Sequence, residues 1–253
     1  MRYVLLGIIQ GITEFLPVSS SGHLVIFQTL FKVPYSIAFD VVVHLATALA
    51  VIVYFRKDIL ELFTSKRKML WLIIVGTVFT GILGLTFKDF FESLFSSIFA
   101  VGWFLLLTGL IIVLAEWIGK GKRKLEEMNI WDAILIGLAQ GCAIAPGLSR
   151  SGTTISASLA RNIDRTLAAR FSFLLSIPAI LGAGLVQSKE IIKAGTVGIG
   201  LWPLVLGFIA AFVSGWVAIK IFMSIIQRMS IRGFAYYCFV VGTLVLLLSA
   251  LAS

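Results

Sequence analysis

Two short stretches of this 253-residue chain gather side chains able to do chemistry. The first, TEFLPVSSSGHL (residues 13–24), brings Glu14, Ser19, Ser20, Ser21 and His23 within ten positions. The second, PGLSRSGTT (residues 146–154), sets Arg150 between Ser149 and Ser151, with Thr154 one turn further on. A planar guanidinium grips two phosphate oxygens at once. Hydroxyls that follow a helix-breaking proline are N-cap candidates, and helix N-termini attract anions through their free N–H groups. Together these groups describe a receptor for an anion such as phosphate. Glu14 and His23 do not belong in a simple anion receptor, because a carboxylate repels an anion unless a proton or a metal intervenes. They point to catalysis. Glu14 could hold a divalent cation or act as a base, His23 could be nucleophile, acid or base, and Ser20 could be nucleophile or donor.

The elements that must position these groups are built for lipid. The chain is 59% hydrophobic and only 13% charged, against about a quarter charged in soluble domains. Its formal charge of +9 reads as a positive-inside effect, since most Lys and Arg lie in short loops between apolar runs. No nucleic-acid partner is expected. Cys142 and Cys238 form neither a disulfide framework nor a metal spacing. The apolar run after Arg2 leads into Glu14 and Pro17 rather than a cleavage site, so the N-terminus is expected to stay in the mature protein.

Six apolar runs are long enough to cross a bilayer, at 37–55, 69–87, 98–118, 166–187, 199–226 and 233–252. Two more, 3–31 and 131–160, are broken midway by PVSSSG and PGLSRSG. Broken helices at membrane depth must face protein or a wet cavity.

The two breaks are related. Without a gap, Gly7, Gln10, Gly11, Ser19, Ser21 and Gly22 align with Gly137, Gln140, Gly141, Ser149, Ser151 and Gly152. Further on, WLIIVG (71–76) matches WPLVLG (202–207) at nearly the same offset. The expected fold class is therefore an all-α polytopic membrane protein, a single membrane domain of two repeats (1–118 and 130–253) joined by a charged linker (119–129). Each repeat would hold one re-entrant broken-helix hairpin and three transmembrane helices. Three is odd, so the second repeat must enter inverted. Placing the basic loops 56–68, 119–129 and 227–232 inside puts both termini and loop 188–198 outside; Lys189 and Lys193 in that loop leave little charge asymmetry in the second half. Hairpin one then enters from outside and hairpin two from inside. In inverted repeats the breaks meet near mid-membrane and build a polar site, so the two motifs should be walls of one pocket.

Other polar groups are assigned to structure. Ser156, Ser158, Ser172 and Ser176 are expected to bond their own helix or to pack closely. His44, alone in an apolar span, is read as a helix-to-helix donor, Lys220 and Glu116 as snorkelling residues, and Arg161, Arg165 and Arg170 as a charged rim.

QGITEFLPVSSSGH (10–23) and PGLSRSGTT (146–154) resemble the two signatures of the undecaprenyl-diphosphate phosphatase, or bacitracin-resistance, family, and the similarity extends through FSFLLSIPAI (171–180). The resemblance implies a multi-pass enzyme of the cell membrane that hydrolyses a C55 polyprenyl diphosphate to the monophosphate, recycling the carrier lipid of cell-wall synthesis. It implies a divalent cation, Mg or Ca, and a site opening outward. By motif, Glu14 would serve catalysis or metal binding. Ser19 and Ser20 would be the serine pair, His23 the histidine and Arg150 the phosphate-gripping arginine. Gln10, Ser21, Ser149, Ser151 and Thr154 would complete substrate binding. Gln10 stands where many members carry Glu, which leaves Glu14 as the charged group of that pair. Ser20, His23 and water all stay open as the nucleophile, as does the oligomeric state, a homodimer included. Beside the enzyme stands a second class of function, a transporter or flippase for an anionic lipid or small anion, which the inverted repeat would suit. An ion channel is the weakest reading, since no filter motif is present.

Overall fold

The computed structural model describes residues 1–95, 97–119, 121–194 and 199–252, with residues 188–194 and 252 as backbone only. The charges of Lys120, Lys189 and Lys193 lie outside the described side chains. The described chain is all helical apart from turns and one isolated backbone bridge. Six long apolar helices fall on the six expected runs: α3 (Ile37–Tyr54), α5 (Arg67–Thr86), α7 (Ile98–Ile118), α10 (Arg165–Ala194), α11 (Leu201–Arg228) and α12 (Arg232–Ala252). The chain is a multi-pass membrane protein. Its outer surface carries Leu85, Leu248, Trp117 and Trp202, each more than 60% exposed, as suits side chains that meet lipid and its interfaces.

The two broken runs fold as helix pairs, α1 (Arg2–Phe15) with α2 (Ser20–Phe31), and α8 (Ile130–Cys142) with α9 (Arg150–Ala160). Short helices α4 (Arg56–Leu62) and α6 (Lys88–Leu94) occupy segments expected to be loops. The first break follows from Pro17, which forces Leu16 into extended backbone and ends α1. Ser19 then caps α2 by accepting from the Gly22 N–H at 3.3 Å. In the second break Gly147 adopts φ +94°, and a Cβ there would stand 2.5 Å from the Val101 carbonyl oxygen. Ser149 caps α9 by accepting from the Gly152 N–H at 3.1 Å.

The helix pairs exchange partners across the chain. α1 lies along α11 so closely that a Cβ on Gly7 would stand 2.4 Å from the Gly207 carbonyl oxygen. α8 lies along α5 in the same way, with a Cβ on Gly137 2.3 Å from the Gly76 carbonyl oxygen. The four glycines are repeat mates by the sequence alignment, so each half packs its broken pair on the other half. The breaks themselves touch. A Cβ on Gly22 would meet Gly147 Cα at 3.1 Å, and Ser151 donates to the Leu16 carbonyl at 3.1 Å.

The basic loops gather on one side. Arg170 bonds Asp58 at 2.7 Å, and Lys68 donates to the Glu126 carbonyl at 2.5 Å. Arg123 and Arg161 both hold buried Asp132, at 2.8 and 2.7 Å. Glu116 pairs with Arg165 and accepts from the Ile231 N–H. Glu116 and the three arginines of the expected rim thus fasten the loops together, a fuller role than snorkelling or a solvated rim.

Candidate active site

Glu14 is the centre of the site. It lies in the last turn of α1, 5% exposed, one turn after fully buried Gln10. The spacing i, i+4 puts both side chains on one helix face, and Gln10 Nε2 donates to Glu14 Oε2 at 2.9 Å. Arg150, the first residue of α9, bonds Glu14 Oε1 through Nη2 at 2.5 Å. Ser20, the first residue of α2, donates its hydroxyl to Glu14 Oε2. Two helix N-termini thus converge on one carboxylate, where their dipoles favour negative charge.

A cavity of about 430 Å³ opens beside this cluster. Glu14, Ser19, Ser20, Ser21 and Arg150 line it, the last three from the helix starts. Apolar groups from α2, α3 and α10, among them Leu24, Val41 and Ile180, line it as well. A pocket lined by both charged and apolar groups suits an amphiphile with an anionic head.

The remaining expected residues take other places. Ser19 Oγ lies 3.3 Å from Ser21 Oγ while capping α2. Ser149 caps α9, and its N–H donates to Thr108 at 3.0 Å. Ser151 ties the breaks together, and Thr154 donates to the Arg150 carbonyl at 2.8 Å and lies 2.6 Å from Ser172 Oγ. Ser149, Ser151 and Thr154 thus build the mount of Arg150 instead of lining the cavity. His23 is buried beside α12. Its Nδ1 lies 2.7 Å from the Ser19 carbonyl, which can only accept, so Nδ1 carries a proton; its Nε2 meets the Tyr237 hydroxyl at 2.8 Å. The two rings stack at 5.7 Å. His23 is therefore directed toward Tyr237, outside the cavity lining.

Several cavity residues escaped sequence reasoning. His44 Nδ1 lies 2.7 Å from the Asp40 carbonyl, and its Nε2 stands 3.8 Å from Glu14 Oε2. It faces the site, where the sequence reading had a helix-to-helix donor. Its signal was an imidazole with an acid one turn earlier on an apolar helix. Asp40, Thr80, Glu92 and Gln140 also line the cavity. Gln140 carried a signal as the repeat mate of Gln10; Asp40, Thr80 and Glu92 stand in no motif.

The geometry can be tested for a divalent cation. Gln10 Oε1 is buried and has no hydrogen-bond partner among the described residues, while its amide nitrogen is spent on Glu14. An unpartnered amide oxygen beside a carboxylate is a hard-oxygen donor set of the kind Mg and Ca accept. Among the described residues no group of three His, Cys, Asp or Glu forms an all-protein cage. Gln10 Oε1, although outside the cavity lining, and the Glu14 carboxylate therefore fit a divalent cation as two of its oxygen ligands.

Fold and site together define a polytopic helical membrane protein with a buried acid, arginine and serine centre beneath an amphiphile-sized cavity. The sequence profile of the family described as bacitracin resistance protein BacA matches residues 3–244. A protein of Halothermothrix orenii named undecaprenyl-diphosphatase is 44% identical over 99% of this chain and 98% of its own length. One of the same name from Carboxydothermus hydrogenoformans is 45% identical, over 98% and 96%. A third, from Methanobrevibacter smithii, is 40% identical, over 97% and 96%. The chain belongs to the BacA bacitracin-resistance family.

Proposed function

We infer that this chain is an undecaprenyl-diphosphate phosphatase: it hydrolyses the terminal phosphate of a membrane-borne polyprenyl diphosphate and returns the monophosphate carrier lipid. Full-length relatives of that name carry the assignment. The site observation that supports it is the double grip of Ser20 and Arg150 on Glu14 beside the cavity.

The residues suggest a division of labour. Arg150, with the N–H groups at the start of α2 and α9, binds the diphosphate and stabilises charge on the transferring phosphoryl group. Glu14 is the proton carrier. Ser20 already directs its O–H at Glu14 Oε2, the hydrogen bond expected of a nucleophile and its base, which favours Ser20 over His23 or water for the first attack. Ser20 Oγ bonds to the terminal phosphorus, its proton passes to Glu14, and the bridging P–O bond breaks with its electron pair on the leaving oxygen. Glu14 then delivers the proton to that oxygen. In the second half water attacks the phosphoseryl phosphorus, gives one proton to Glu14, and Ser20 Oγ leaves with a proton from Glu14. His23 positions the break by holding the Ser19 carbonyl. Gln10 Oε1 and Glu14 would hold the Mg or Ca ion together with phosphate oxygens. That ion supplies positive charge that neutralises the diphosphate and polarises its phosphoryl oxygens.

The architecture fits two repeats of opposite topology. α1 and α8, at about 21 and 20 Å by the helical rise, are shorter than a bilayer core of about 30 Å, which supports re-entrant hairpins. The exchanged packing of α1 on α11 and α8 on α5 is what an inverted pair produces. With the gathered basic loops on the cytoplasmic side, hairpin one enters from outside the cell membrane and the site opens outward. The test of function is chemical. Purified protein in detergent, given undecaprenyl diphosphate, should release phosphate and monophosphate lipid in equal amounts and stop on addition of EDTA. Detergent abolishes the two compartments that a transporter or flippase needs, so absence of release would favour that class.

A further inference from the structure

Gln140 lines the cavity from the last turn of α8 and is 2% exposed. Its amide orientation is fixed. The Thr80 hydroxyl directs its single proton to the Gly76 and Gly137 carbonyls, at 2.8 and 2.9 Å, so toward Gln140 its oxygen can only accept. Gln140 must therefore present Nε2 to Thr80, at 3.1 Å. Oε1 is left buried, with no partner among the described residues. A buried amide oxygen without a donor is costly, and an ionised phosphate oxygen, itself an acceptor, cannot relieve it. Water is the donor that the reaction brings into this cavity.

We propose that Gln140 is a catalytic residue of the hydrolysis, its Oε1 accepting one O–H of the attacking water while Glu14 takes the proton of the other. The inference rests on the phosphatase reading above. The water oxygen bonds to phosphorus, the Ser20 Oγ–P bond breaks, one proton leaves through Glu14, and the second stays on the new phosphate, held by Gln140 during attack. A glutamine that orients the attacking water serves other phosphoryl-transfer sites in this way.

Methanol separates this role from a structural one. It has one O–H, which the base needs, and nothing to offer Oε1. Wild type in detergent with undecaprenyl diphosphate and methanol should therefore favour water strongly, forming inorganic phosphate over methyl phosphate. Gln140→Met removes the acceptor at nearly constant volume. Its methyl phosphate to phosphate ratio should rise roughly tenfold, the scale of one unmade buried hydrogen bond, with any fall in kcat matched by a fall in KM so that kcat/KM is unchanged, because only the second half-reaction is slowed. The ratio is internal to each turnover and does not depend on the fraction of folded enzyme. Thr80→Val, which frees the amide to turn, should raise it in the same direction by less, and serves if Gln140→Met does not fold. A wild-type ratio in either folded variant overturns the proposal. So does an altered metal requirement at wild-type ratio, which would assign Oε1 to the cation. Absence of phosphate release by wild type would instead sink the phosphatase reading.

Discussion

Ser20 and Arg150 stand 130 positions apart, open helices α2 and α9, and hold the two oxygens of one carboxylate, that of Glu14. They are repeat mates by the ungapped alignment, yet one is a hydroxyl and the other a cation. The two residues thus stand at aligned positions and differ in side-chain chemistry. Glu14 itself faces Ile144 as its repeat mate, so only the first half supplies the acid.

The Glu14–Arg150 pair is buried, and removal of one partner leaves the other uncompensated. Arg150→Met should lower stability by about 3–5 kcal/mol. The double variant Glu14→Gln with Arg150→Met should regain most of that loss while staying inactive. Thermal unfolding in detergent, read beside phosphate release, checks both halves of this expectation.

Glu14→Gln keeps shape and a hydrogen-bonding group but cannot carry a proton. It should bind substrate and turn over at least about 100-fold more slowly, the lower range for a lost general base. Ser20→Ala should also bind, and should fail to become labelled when wild type, quenched in mid-turnover with terminally ³²P-labelled diphosphate, yields phosphoserine. A labelled Ser20→Ala would show that another group attacks.

Among the described residues Tyr237 reaches the site through His23, which is also held by the Ser19 carbonyl and by stacking. Tyr237→Phe keeps the stack and should cost less than about tenfold in kcat, one neutral hydrogen bond's worth. A larger loss, measured at saturating substrate, would give His23 a part in proton transfer.

Asp132 anchors α8 to the loop side. Burial pushes its carboxyl up, but hydrogen bonds from Arg123 and Arg161 more than offset this and hold it below the usual carboxylate value. A lowered folded-state pKa gives stability that is full above the unfolded value and lost as pH falls through the folded one. The Tm gap between wild type and Asp132→Asn should therefore be widest near neutral pH and close on acidification below the ordinary carboxylate range.

Much of this was legible in the sequence, because membrane burial leaves few ways to place Pro17, Pro146 and the serines after them. The breaks, the caps at Ser19 and Ser149, and the meeting of the two motifs follow from local chemistry and the repeat. The cavity's other walls do not. His44 reaches the site through the packing of α3 on α1, and Thr80 and Gln140 through the packing of α5 on α8; no motif spacing encodes which helix faces which. His23 shows the converse. It sits in the strongest motif, yet its imidazole meets Tyr237 of α12 while Ser20, one turn earlier, meets Glu14.

Arg150, Glu14 and Ser20 are proposed to form one hydrolytic centre. The most direct measurement is phosphate release from undecaprenyl diphosphate in detergent by wild type and Arg150→Ala side by side, with folding of both confirmed by thermal unfolding. Metal-dependent release by wild type and a loss of at least about 100-fold in folded Arg150→Ala, as for other lost charge-stabilising donors, is the expected result. Release by folded Arg150→Ala at the wild-type rate would contradict the account.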